Sequence, residues 1–207
     1  MADLRKIRFI MVNYSRMQGL KAVPPGLLLF LVYVWANAQT GRARDLSLPI
    51  VYLFAGTILY VLIDWYYRTT YGRVEQTARS LWTDVILSTV FSVLVLGVFW
   101  LDVSLKIPVS IFALVFALGL LLDYLRMVHL AGGQSLSVFP AALFCTGLIA
   151  LSAFLPLAGK PALEFIGFRS PIFLVYAVDG ILVVLFGLAG HLFLVRSMPP
   201  AGEVAHG

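Results

Sequence analysis

The chain has 207 residues, of which 61% are hydrophobic and only 12% charged, with a formal net charge of +5. A soluble domain carries about 25% charged residues, so the usual water-facing coat is missing and lipid is the expected covering. The basic residues flank apolar runs rather than marking one soluble face, which points to anionic lipid as a partner and away from nucleic acid.

Apolar runs of about 20 residues recur, each long enough for a hydrocarbon core about 30 Å thick. They are continuous rather than alternating, so helices are expected and a β-barrel is not. The fold class this predicts is an all-α integral membrane protein. It is a bundle of six transmembrane helices with short loops, preceded by an N-terminal interfacial amphipathic segment. Residues 1–21 form a basic cytoplasmic or interfacial segment, 22–195 the six-span bundle, and 196–207 a disordered cytoplasmic tail.

Residues 3–20 read DLRKIRFIMVNYSRMQGL. Leu4, Ile7, Met11, Tyr14 and Met17 recur at helical spacing with basic residues between them. This predicts a helix lying on anionic lipid, or a basic anchor with the same charge. The first span, 22–38, opens with Pro24-Pro25, where proline removes no helix bond. Its run GLLLFLVYVW ends in Ala36-Asn37-Ala38, which also fits a cleaved secretory signal. The long basic region and the position of Trp35 beside that cut speak against cleavage.

The second span, 47–67, runs into LIDWYYRTTYGRVEQTARSLWTD over 62–84. At 100° per residue, Thr57, Tyr60 and Asp64 share a stripe. Arg68 follows one turn later, with acid before base in the favoured order. Ser80 reads as the N-cap of the third span, 81–101, and Asp84 as a first-turn acid complementing the helix dipole. The fourth span, 107–125, holds the small pair Ala113 and Ala117 and ends with Asp123 before Arg126. Ser88 and Ser92 make a similar pair in span three.

The fifth span, 138–157, contains Cys145, the single cysteine, so no intramolecular disulfide exists and an apolar packing role is expected. The sixth, 171–195, carries Ala177, Gly180, Gly187 and Gly190 along with Asp179 and His191. Small residues let helices approach closely in lipid. They serve either the fold or a homo- or hetero-oligomer, and spacing does not separate the two.

Arg5, Lys6, Arg8, Arg16, Lys21, Arg68, Arg73, Arg79, Arg126 and Arg196 fall on one side of this topology, and Arg42, Arg44, Lys106, Lys160 and Arg169 on the other. Ten against five places both termini in the cytoplasm. Trp35, Trp65, Trp82 and Trp100 all fall at predicted interfaces, as an aromatic belt requires.

Two groups of polar residues are candidate sites. Asp179, in VYAVDGILVV, lies eight residues into span six, and an ionised carboxylate at that depth is costly. It shares a stripe with Ile172, Val183, Phe186 and Gly190, expected to face the interior. A neutral Asp179 bonded to Tyr176 or Tyr52, and a proton-coupling Asp179, are both open readings. His191 lies about 120° away around the helix, so the two do not form a one-face relay.

The second group, Asp64, Arg68, Asp84, Asp123 and Arg126, lies near one membrane depth. Its acids either have local partners (Arg68, a helix N-terminus, Arg126) or hold a divalent metal that acts on a phospholipid headgroup. No GxSxG, HExxH or P-loop accompanies them. His129, His191 and His206 are too scattered for haem or zinc. No metal and no cofactor is expected.

The stretches LIDWYYRTTYGRVEQ, FWLDVSLKIP and GHLFLVR together resemble a group of uncharacterised bacterial multi-pass membrane proteins of similar length. The resemblance covers most of the chain and implies a bacterial inner-membrane setting, with no activity to carry over. The function expected from the residues is a non-enzymatic accessory or anchoring membrane component. The alternatives are a small proton-coupled transporter using Asp179, and a lipid-modifying enzyme at the cytoplasmic interface using Asp64, Asp84 and Asp123.

Overall fold

A computed structural model describes residues 8–38, 47–72, 78–105, 107–132, 139–158 and 171–197. The described residues are helical, with turns between helices and no strand. Among the described residues, six longer helices follow in order: α1 (Val23–Ala38), α2 (Ser47–Tyr71), α3 (Ala78–Leu105), α4 (Ile111–Leu130), α5 (Pro140–Ser152) and α6 (Pro171–Val195). A 3-10 turn, Gly19–Ala22, leads into α1, and a second, Leu155–Ala158, follows α5.

Among the described residues five segments are long and apolar enough to cross a membrane: Ile50–Tyr71, Trp82–Leu105, Ile111–Leu130, Pro140–Leu157 and Ile172–Val195. α1 is apolar but shorter. Its 16 residues rise about 24 Å at 1.5 Å each, against a hydrocarbon core of about 30 Å.

The helix ends follow local chemistry. Ser110 caps α4, accepting a hydrogen bond from the Ala113 N–H. α5 stops at Ser152 because Pro156 follows within the Leu155–Ala158 turn and disfavours helix in the residue before it. α3 starts at Ala78, earlier than the sequence predicts. Ser80 is therefore inside the helix rather than its N-cap, and Asp84 is its seventh residue rather than a first-turn acid.

The N-terminal segment departs from the predicted continuous helix. Residues 8–12 are helical and 13–16 form turns. The Asn13 side chain donates to the carbonyls of Phe9 and Met127, each at 3.0 Å, and so pins the segment to α4. Phe9, Ile10, Tyr14 and Met17 are buried in the main core with Tyr67, Tyr124 and Leu194. Met11, which the stripe placed with Tyr14 and Met17, is instead 63% exposed. Leu4 and Ile7 lie outside the described residues.

α1 and α6 form the closest helix contact, and glycines make it possible. A Cβ on Gly180 would lie 2.6 Å from the Gly26 carbonyl oxygen and 2.7 Å from the Phe30 nitrogen, and one on Gly26 would lie 2.8 Å from the Gly180 carbonyl oxygen. Gly19 meets the backbone of Gly187 and His191 in the same way. The small residues of α6 thus serve an intramolecular contact. Ala113 and Ala117 are likewise buried inside the bundle, whereas Ser88 and Ser92 are exposed.

α2 packs on α1 and α3 on α4. The apolar window of α2 is 6% buried and that of α3 0% buried, against 33–39% for α4, α5 and α6. Trp65, Trp82 and Trp100 are exposed, and Trp35 is half-buried.

Candidate functional site

The bundle carries polar groups at two levels. The first is a basic end, formed by the Gly19 turn, the C-terminal ends of α2, α4 and α6, and the start of α3. Asp64 accepts from Lys21 Nζ at 2.5 Å and from Arg68 Nε at 2.6 Å. Asp84 accepts from Arg16 at 2.6 Å and from Arg126 at 2.8 Å. Asp123 lies 3.3 Å from Arg16. Arg126 therefore pairs with Asp84 from another helix rather than with Asp123, its neighbour in sequence. Arg16 takes the place of the helix terminus expected for Asp84.

The three aspartates do not form one group. Asp84 and Asp123 share Arg16, while Asp64 is held by Lys21 and Arg68. Among the described residues no set of three His, Cys, Asp or Glu could hold a metal ion. Each carboxylate already has a cation, so the cluster can orient the N-terminal segment against α2, α3 and α4. A cavity of about 60 Å³ lies beside it, with Arg16 and Asp123 at its polar rim and Leu120, Met127, Phe186 and Gly190 among its walls.

His191 belongs to this end. Its Nδ1 lies 2.9 Å from the Tyr67 hydroxyl, which also accepts from the Leu20 N–H at 3.2 Å. The Tyr67 hydroxyl thus bridges the Gly19–Ala22 turn and α6, accepting from Leu20 and exchanging a hydrogen bond with His191 whose direction follows the imidazole tautomer. Next to it, the buried Tyr14 phenol reaches the Tyr67 and Gly72 carbonyls at 3.3 and 3.4 Å, and burial pushes its pKa up, so it stays a neutral donor.

The second level lies toward the opposite end, where α3 and α5 finish and α4 and α6 begin. Asp179 has no exposed surface, and Val183 and Gly190 of its stripe are also buried. Its partner is neither Tyr176 nor Tyr52. Oδ1 lies 2.6 Å from the Ser152 hydroxyl at the end of α5, and Oδ2 is buried with no hydrogen-bond partner. The Tyr176 hydroxyl, one turn away, is also buried and unpartnered.

Asp102 is the site residue that sequence reasoning missed. It is 1% exposed and sits near the end of α3. It accepts from the Ser110 hydroxyl at 2.6 Å and from the N–H groups of Ile111 and Phe112 at 2.8 and 3.1 Å. It therefore caps α4 from a neighbouring helix, filling N-terminal donors that would otherwise be orphaned. The signal was present in FWLDVSLKIPVS: an acid at a span end, eight residues before a serine, with Pro108 turning the chain between them.

Tyr176 packs on Phe99 and Phe112 at centroid distances of 5.1 and 5.0 Å. These rings enclose Tyr176. The chain matches no family model, no curated protein and no solved structure.

Proposed function

We propose that the chain is a six-span protein of a bacterial inner membrane, with both termini cytoplasmic, and that it is a non-enzymatic accessory or anchoring component. In this reading α1 crosses with the other five helices and the N-terminal segment sits at the cytoplasmic interface beside anionic lipid. The basic end is the cytoplasmic end, as the ten-to-five charge asymmetry requires.

The observation that carries the accessory role is the exposure of α2 and α3. α3 is 28 residues long and packs mainly on α4, with none of its apolar window buried. A partner membrane protein whose helices pack on α3 would bury this face. Ser88, Ser92 and Gly97 are exposed on α3 and would allow close backbone approach. Photo-crosslinkers placed at Val93 and Leu96, followed by mass spectrometry of the native-membrane adducts, test this. Adducts to one membrane protein are the expected result. Adducts to lipid alone contradict it.

A second reading is favoured by one observation. Asp179 Oδ2 is a buried carboxyl oxygen without a partner, which is a functional feature by default within a membrane span. That supports a small proton-coupled transporter, and proton-driven flux in proteoliposomes, abolished by Asp179→Asn, is its test. The lipid-modifying reading has less support, since Asp64, Asp84 and Asp123 are all ion-paired.

A further inference from the structure

The hydrogen inventory around Asp179 is short by one. Ser152 has a single hydroxyl hydrogen but two close oxygen neighbours, the Ile149 carbonyl at 2.7 Å and Asp179 Oδ1 at 2.6 Å. The Ile149 carbonyl needs that hydrogen, because the Ala153 N–H that would close its helix bond turns to the Leu151 carbonyl instead. With the hydrogen spent on Ile149, the Ser152 oxygen faces Asp179 Oδ1 with lone pairs only. Two oxygens 2.6 Å apart need a hydrogen between them, and only the carboxyl group can supply it.

Asp102 gives the opposite count. Three donors reach its two oxygens, each with its own hydrogen, so it is a complete carboxylate seated at a helix N-terminus. Tyr176 lies between the two aspartates and interacts with both. The groups that face Asp179 are Ser152 from α5, Tyr176 from α6 itself and, beyond Tyr176, Asp102 of α3. From α1, Gly26 and Phe30 meet Gly180, and neither titrates.

We propose that Asp179, Ser152 and Tyr176 form a buried proton-binding site, in which Asp179 carries one exchangeable proton. The unpartnered groups supply the second state. When the proton leaves, Ser152 turns its hydrogen from the Ile149 carbonyl to the new carboxylate. The buried Tyr176 hydroxyl, which has Asp102 and Asp179 as its charged neighbours, is the second donor available to that anion. The released proton passes to bulk water, so the occupancy of the site follows the bulk pH. Loading and unloading thereby change the hydrogen bonding of the last turn of α5.

The inference deepens the transport reading but its readout is proton binding at equilibrium, so a flux assay and this test fail separately. Infrared difference spectroscopy on the full chain in lipid nanodiscs, titrated from acid to alkaline pH in H2O and D2O, tests it. The expected spectrum has a carboxylic-acid C=O band at neutral pH that moves on deuteration, bleaches toward alkaline pH and is missing in Asp179→Asn. Ser152→Ala should displace the band and Ser152→Thr should restore its position. No such band at neutral pH, or a band that survives Asp179→Asn, overturns the site. So does a band that neither exchanges nor titrates. If Asp179→Asn does not fold, an unmoved band in Ser152→Ala is the contradicting result.

Discussion

Asp102 and Asp64 are both acids near a helix end, yet they do different physical jobs. Asp102 is buried and fills three donors, so Asp102→Ala leaves the Ser110 hydroxyl and two N–H groups unpaired. That should cost about 1–3 kcal/mol, read as a fall in unfolding temperature of the detergent-solubilised protein. Arg68, paired with Asp64, is 54% exposed, and Asp64 keeps Lys21 without it. Arg68→Ala should therefore cost less than about 1 kcal/mol in the same measurement. Asp84→Asn weakens two pairings, with Arg16 and Arg126, and its effect should fall between these two. An Arg68→Ala loss as large as that of Asp102→Ala would show that the ranking by burial is wrong.

At the scale of helices, the contact of α1 on α6 rests on glycine backbone meeting glycine backbone. Gly180→Leu forces a side chain into the Gly26 carbonyl and the Phe30 nitrogen, and should destabilise by roughly 1–3 kcal/mol or more. Gly147, where a Cβ meets nothing within 4 Å, is the matched control, and Gly147→Leu should leave the melting temperature nearly unchanged. Equal losses at both positions would contradict close approach as the cause. How far these features were legible in the sequence differs from helix to helix. α6 was readable from its apolar run between Pro171 and Arg196, and 100° spacing placed Asp179 inward. Ser152 was not readable as its partner, because that depends on where α5 stops. The Arg16–Asp84 pair joins residues 68 apart, beyond any spacing argument, and the predicted Asp123–Arg126 pair lost to it. The N-terminal stripe failed at Met11 because the buried face runs through Phe9, Ile10, Asn13, Tyr14 and Met17, which leaves Met11 on the opposite side of the helical residues 8–12.

For the whole molecule, the described helices separate into a packed part, α1 with α4, α5 and α6, and two helices, α2 and α3, that expose nearly their entire apolar surface. In lipid that surface is comfortable; beside another membrane protein it is an interface. Both uses depend on the topology, and the least secured element is α1, which is shorter than the other spans. Substituted-cysteine labelling decides it most directly. On a Cys145→Ser background, Ala2→Cys, Ala43→Cys and Ala201→Cys are tested in intact cells with a membrane-impermeant thiol reagent. The account predicts that only the cysteine at position 43 is labelled, with positions 2 and 201 reacting after the membrane is opened. Labelling of position 2 in intact cells would mean that α1 does not cross, and labelling of position 201 would reverse the basic end; either result would contradict the six-span account.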